Sequence, residues 1–279
     1  MNKQYALIDS GDQNKLERFG EYLIVRPCSQ AIWRPKLSGE EWKKADVVFT
    51  RESGNEWKGG RPLPAAWFLE IENIKFKLSA TDFGHLGVFP EHALFWKWMI
   101  PLIQKQKKQV RVLNLFAYSG GATLAAAKAG AKVCHLDASK GMVAWARENA
   151  ALNGLQDAPI RWIVDDAVKF LKRELKRNSR YDAIILDPPT FGRGNRGEVF
   201  KIERDLNELL FLCRDILSVD PLFVLLSSHT PGMTPVVMRH LMEQMMEGKG
   251  GSFEAAELIL PAEKGRDVPC GSYAKWSSV

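Results

Sequence analysis

Cysteine is scarce and scattered in this 279-residue chain. Cys28, Cys134, Cys213 and Cys270 are far apart, and no two have C-x-x-C spacing. That spacing excludes a cysteine-built metal cage, so no metal is expected, and it offers no disulfide framework. Long apolar runs are absent as well. No window approaches the roughly 18 to 20 uninterrupted apolar residues of a membrane helix, so no membrane partner is expected. Residues 1–10 lack the charged-then-apolar order of a secretory signal, and the expected location is cytoplasmic. With 46% apolar and 26% charged residues, no tract has the composition of a disordered segment.

Positive charge is in excess. A net charge of +6 and a pI near 9.1 favour an anionic partner, of which nucleic acid is the commonest. Lysine and arginine gather at 105–111, 169–180 and 193–196. The first two clusters read more simply as solvated helix faces. The third follows directly on the motif read below as catalytic, and it nominates Arg193 and Arg196 as substrate-binding residues.

Residues 1–80 read as short strands broken by turns, with Glu21–Arg26, Asp46–Arg51 and Trp67–Ser79 as the best candidates. In the last, Ile74, Phe76 and Leu78 alternate with Lys75, Lys77 and Ser79, the period-2 pattern of a half-buried strand. A helix over 91–108 follows within a linking segment at 81–109. From Val110 onward, apolar strands alternate with helices. Strands are predicted at 110–116, 132–136, 160–164, 181–186 and 222–227, with further short strands at 254–260 and 271–276. Helices are predicted at 120–129, from Ser139 to Asn153, from Asp165 or Asp166 to Leu175, and at 201–217 and 235–247. This order means an α/β fold, a doubly wound, mostly parallel seven-stranded sheet over 110–279, behind a small β-rich N-terminal domain.

In such sheets a ligand lies at the carboxyl ends of the strands. Three features fall there. Asn114–Gly121 (NLFAYSGG) forms the turn from the first strand into its helix, and glycine lets the backbone approach a ligand closely. This turn is not G-x-G-x-x-G and carries Phe116 and Tyr118, which suits a cofactor without a pyrophosphate. Asp137 ends the second strand, where a carboxylate can accept both ribose hydroxyls, although it reads also as a helix cap beside Ser139. Asp165-Asp166-Ala167 ends the third strand, where an acid can receive an adenine amino group or simply cap the next helix.

The most specific string is DPPTF, Asp187–Phe191, at the end of the fourth strand. Pro188 and Pro189 fix φ and withdraw backbone donors, leaving carbonyls to face a ligand. Asp187 offers an acceptor, Thr190 a hydroxyl and Phe191 a flat face, together suited to a planar, nitrogen-bearing ring. Asp187, Pro188, Pro189 and Phe191 are the catalytic candidates.

NLFAYSGGATLAAA, HLDAS, RENAALNG, DDAVKFL and LDPPTF, in this order, resemble the large-subunit ribosomal RNA methyltransferases, a family with guanine-N7 and cytosine-C5 enzymes. The resemblance covers residues 68–230. It implies a Rossmann-like methyltransferase domain, S-adenosylmethionine as cofactor and ribosomal RNA as substrate. For the cofactor it implies Asn114, Phe116, Ala117, Tyr118, Ser119, Gly120 and Thr123 in the first turn and helix. At the next strand ends it implies Asp137, Ala138 and Ser139, then Asp165, Asp166 and Ala167. GVFPEH, within Glu72–His92, resembles the family's motif that closes over the cofactor and nominates Phe89 and Glu91.

The sequence departs from the C5 branch. Carbon-5 of cytosine is a poor nucleophile, and those enzymes activate it with a cysteine after strand four or five. Pro188–Thr190 has none here, and the fifth strand ends in Ser227-Ser228-His229. A nitrogen has its own lone pair, so N-methylation of an RNA base is the leading reading. A C5 enzyme, a methyltransferase for protein or a small molecule, a nicotinamide dehydrogenase and a non-catalytic RNA-binding protein stand as alternatives.

Overall fold

Buried carboxylates, rather than a clean apolar alternation, organise the first ninety residues. The computed structural model describes residues 4–51, 54–193 and 197–278. Its opening strands β1 (Tyr5–Gly11), β2 (Asn14–Phe19) and β3 (Tyr22–Pro27) form an antiparallel meander. Asp12 and Gln13, at φ 47° and 60°, make the first tight turn. The short helix α1 (Gly39–Trp42) leads to β4 (Val47–Thr50), parallel to β3, and β5 (Glu56–Gly59) pairs antiparallel to β4. Asp9 is fully buried and accepts from the Ser10 and Leu37 amides at 2.9 and 2.8 Å and from Trp42 Nε1 at 3.0 Å, tying the 33–42 segment to β1. Glu17, also buried, takes two bonds from Arg26 at 2.7 and 2.8 Å and one from the Tyr5 hydroxyl at 2.9 Å. Burial alone would raise its pKa, but Arg26 and Lys15 hold it down near about 2. These inward-facing acids hide β1 and β2 from a period-2 reading.

The predicted single strand Trp67–Ser79 is a hairpin, β6 (Trp67–Ile71) and β7 (Ile74–Leu78). Its turn residues Glu72 and Asn73 take φ 50° and 61°, a left-handed pair that contains no glycine and so gave no turn signal. Pro90–His92 forms one 3-10 turn, and α2 (Ala93–Gln104) begins later and ends earlier than the predicted 91–108.

The α/β part follows as β8 (Arg111–Leu115), α3 (Gly121–Lys128), β9 (Lys132–Asp137), α4 (Lys140–Leu152), β10 (Ile160–Val164), α5 (Ala167–Lys176) and β11 (Ala183–Leu186). A small hairpin, β12 (Phe191–Arg193) with β13 (Val199–Lys201), precedes α6 (Ile202–Ile216), β14 (Phe223–Ser228), α7 (Pro235–Met245), β15 (Ser252–Leu260) and β16 (Val268–Ser277). The seven strands lie in the order β10-β9-β8-β11-β14-β16-β15, parallel from β10 through β14, with β16 antiparallel to β14. Every side chain of β11 is buried, as a strand covered on both faces requires. Ser139, Asp166 and Thr234 cap α4, α5 and α7 through bonds to the third following amide.

By contacts the chain divides into two compact units, Met1–Ala93 with Ile259–Cys270, and Leu94–Leu258 with Gly271–Val279. Dividing the chain at 80 and 109 did not anticipate the return of residues 259–270 to the first unit. There Leu260 and Val268 pack with Leu7, Cys28 and Ala31, and Ala262 bridges Leu7.

The second basic cluster is largely paired, and the first is paired through Lys108. Lys169 meets Glu198, Lys172 meets Glu208, Arg173 meets Asp165, Arg177 meets Glu174, and Lys108 meets Asp182. The cluster at 169–180 lies mostly on α5, a charged helix face as expected, whereas 105–111 follows the end of α2 and is not a helix face, which corrects that reading.

Candidate functional site

The strand order reverses between β8 and β11, and the carboxyl ends of those two strands carry the first turn and DPPTF. Leaving β8, the chain alternates into the left-handed region at Phe116 (φ 55°), Tyr118 (49°) and Gly120 (94°). Two of these are bulky residues, a conformation that persists only where surrounding bonds impose it. Those bonds are present. The Ala117 amide donates to Leu136 O at 3.0 Å, the Tyr118 amide to Asp137 Oδ2 at 2.9 Å, and Asn149 Nδ2 to Ser119 O at 2.9 Å. Glycine is required at two points. A Cβ on Gly120 would sit 3.1 Å from Ala146 Cβ at a strained φ, and one on Gly121 would sit 2.6 Å from the Trp96 ring.

Asp137 is therefore a buckle. Its Oδ2 accepts from Tyr118 and its Oδ1 from the Ser139 amide at 2.8 Å, clamping the first turn to the end of β9. Burial pushes its carboxyl up, and the two amide bonds pull it back. A carboxylate has about four acceptor positions, so two amides leave capacity for the pair of ribose hydroxyls.

Other expected cofactor residues are engaged elsewhere. Asn114 and Thr123 are buried and bond one another, Nδ2 to Oγ1 at 2.9 Å, and Thr123 Oγ1 is 2.9 Å from His135 Nδ1. Their polar atoms brace β8, α3 and β9 against each other. Asp165 accepts the Asp166 amide and pairs with Arg173. Asp166 caps α5 through the Lys169 amide at 2.8 Å, and Ala167 is buried behind it. Ala138 and Ser139 lie between the Asp137 clamp and the start of α4. Phe89 and Glu91 belong to the first unit. Phe89 precedes the 3-10 turn with its ring 5.3 Å from His85 and 5.8 Å from His92, and Glu91 is buried.

At the end of β11, Asp187 is half-buried and Pro188 buried, while Pro189, Thr190 and Phe191 are exposed. Asp187 Oδ1 accepts from Ser227 Oγ at 2.8 Å and lies 3.8 Å from His229 Nε2. Thr190 Oγ1 lies 2.7 Å from Thr230 Oγ1. Phe191 heads the β12–β13 hairpin with 48% of its surface exposed, and the Arg193 guanidinium lies 5.6 Å over its ring. Arg196 lies outside the described residues. Ser227, His229 and Thr230 were not among the sequence candidates. They end β14, the neighbour of β11, where the sequence was searched for a cysteine alone.

The cysteines lack thiolate character. Burial pushes Cys134, inside β9, up to about 11, and it raises Cys28, Cys213 and Cys270 as well. Cys134 and Cys213 lie in the core of the second unit, whereas Cys28 and Cys270 are in the first.

The chain resembles known proteins along most of its length. A crystal structure of an S-adenosylmethionine-dependent methyltransferase from Agrobacterium tumefaciens is 40% identical, with a TM-score of 0.95, covering 99% of this chain and 91% of that one. A putative methyltransferase designated SMU.776, solved in complex with SAH, shares the fold at 19% identity and a TM-score of 0.78, covering 99% and 75% of the two chains. Ribosomal RNA large subunit methyltransferase K/L of Shewanella baltica is 39% identical over 146 residues, which is 52% of this chain. The chain's matched part spans only 20% of that relative's length. The model of the S-adenosylmethionine-dependent methyltransferase family matches residues 37–232, with both the first turn and DPPTF inside that span. With the fold, this coverage is decisive: the chain belongs to the S-adenosylmethionine-dependent methyltransferase family, whose cofactor is S-adenosylmethionine.

Proposed function

We propose that the protein methylates a nitrogen of a base in RNA, with ribosomal RNA the favoured substrate. The observation that carries this reading is the pairing of Asp187 with an exposed Phe191 at the switch-point end of β11. An exposed aromatic face beside a fixed carboxylate holds a flat ring by stacking and by one hydrogen bond. The curated relatives named as ribosomal RNA methyltransferases support RNA as the class of substrate. S-adenosylmethionine supplies a methyl group carried on a positively charged sulfur. Asp137 accepts the ribose hydroxyls, the Phe116–Gly120 turn shapes the bed beneath them, and Asp187 accepts from an N–H of the base. Arg193, already stacked on Phe191, brings positive charge to the place where a flanking phosphate arrives. The test is direct: purified protein, labelled S-adenosylmethionine and ribosomal RNA, with nucleoside mass spectrometry of the product. Label in an N-methylated nucleoside supports the reading, and label confined to added protein or in a C5-methylated base rejects it.

Two expectations belong to this reading. Asp137→Ala should weaken S-adenosylmethionine binding about tenfold or more, since bonds to a charged acceptor contribute about 1.5 to 3 kcal/mol each. Because Asp137 also clamps two amides, the same variant should melt several degrees lower without ligand. Calorimetry with unchanged affinity beside a lowered Tm would leave Asp137 a purely structural clamp. The second expectation concerns the thiols. A variant with all four cysteines replaced by serine or alanine should retain most of its turnover. Loss of turnover from one Cys→Ser change, with cofactor binding and Tm intact, would restore C5 chemistry.

A further inference from the structure

Beyond the motif itself, the geometry points to Ser227 and Thr230, at the end of β14, as the residues that position DPPTF for its substrate. We infer that Ser227 sets the orientation of the Asp187 carboxylate and that Thr230 anchors the far side of the same loop. This inference rests on the reading of Asp187 as the group that accepts from the base.

β11 and β14 are neighbours in register, Leu186 opposite Leu226, so the residues following each strand emerge side by side. Ser227 is 2% exposed, and its hydroxyl carries a single proton. That proton goes to Asp187 Oδ1 at 2.8 Å, the other oxygen in reach being Leu186 O at a longer 3.4 Å. Three residues on, Thr230 is 7% exposed, and its hydroxyl meets Thr190 at 2.7 Å. Thr230 is itself fixed by its amide, which donates to Ser228 Oγ at 3.2 Å. The Thr190 carbonyl in turn accepts the Ile202 amide at 3.1 Å, joining the loop to the start of α6. DPPTF is thus pinned on both sides of its prolines by hydroxyls of one tetrapeptide, Ser227–Thr230. The prolines donate no backbone bonds, so side-chain hydroxyls supply what an ordinary turn obtains from its own amides. Neither hydroxyl needs to touch the base. Each acts through a residue that does, and displacements of about 1 Å at such groups cost up to about a hundredfold in rate.

The experiment is a double-mutant cycle on turnover of RNA, using the full chain. Ser227→Ala should lower kcat about tenfold or more, with S-adenosylmethionine affinity and Tm nearly unchanged. In an Asp187→Asn background, Ser227→Ala should have no further effect, because its action passes through that carboxylate. Thr230→Ala should lower kcat and Thr230→Ser restore it. Unchanged kcat in Ser227→Ala, or an equal loss in both backgrounds, overturns the inference while leaving Asp187 in its proposed role. If the wild-type protein methylates no RNA, the proposed function falls by itself. The positioning claim is then read from the crystal structure of Ser227→Ala, in which the Asp187 carboxylate must have turned from its wild-type rotamer. An unmoved carboxylate overturns it.

Discussion

Asp187→Ala is expected to lower turnover on RNA about a hundredfold or more while leaving S-adenosylmethionine affinity roughly unchanged. Asp187 ends β11, whereas the Asp137 clamp lies at the end of β9, two strands away. Phe191→Ala should act on the substrate instead. Stacking on one aromatic side chain contributes about 1 to 3 kcal/mol per base, so RNA affinity should fall about tenfold or more. Drawing a base from its stack costs a few kcal/mol, and Phe191 offsets much of that. With half its surface exposed, Phe191 contributes little to the core, and its loss should barely move Tm. A large fall in Tm with unchanged RNA affinity would mean that the ring only packs beneath the loop.

The second large effect is on stability. His135 is fully buried in β9, and it is held neutral by desolvation, with Arg147 nearby, so its pKa falls to about 3. Its Nδ1 lies 2.9 Å from the Thr123 hydroxyl, whose oxygen also accepts from Asn114. Nε2 has no hydrogen-bond partner among the described residues. An unfolded histidine titrates near 6.5. Between that pH and about 3, the unfolded imidazole takes a proton that the folded one refuses, so acid favours unfolding. Stability should fall by about 1.4 kcal/mol for each pH unit in that window, and be fully present above it. Denaturant midpoints of the wild type and His135→Gln between pH 7 and 5 measure this. Equal slopes in the two proteins would show that His135 is not the group responsible.

The parallel sheet was legible because its strands are buried on both faces, which leaves uninterrupted apolar runs such as Ala183–Leu186 between strong caps. The first unit was less so. Asp9 and Glu17 point inward, where period-2 reasoning wants apolar residues, and their compensation comes from Leu37, Trp42 and Arg26, far along the chain. The turn at Glu72–Asn73 contains no glycine, so two strands read as one. At the site, Asp137 was placed by its strand end, but its amide clamp depends on a turn conformation that no local pattern announces. The ion pair of Asp165 with Arg173, two turns along α5, was not legible from the capping pattern alone. Ser227 and Thr230 went unread because serine and threonine at a strand end are common, and their meaning comes only from the neighbouring strand.

The return of Ile259–Cys270 to the first unit has a consequence for synthesis. Chains leave the ribosome from the amino end, and domains commonly fold as they emerge. Here Leu7, Cys28 and Ala31 wait for Leu260 and Val268 before their cluster closes. The central β14 likewise waits for β16, whose Ser272–Ser277 pair along its whole length. The first cluster therefore stays open from residue 31 until 260–268, and β14 lacks its antiparallel partner from residue 228 until 272–277, so both are completed close to one another near the end of elongation.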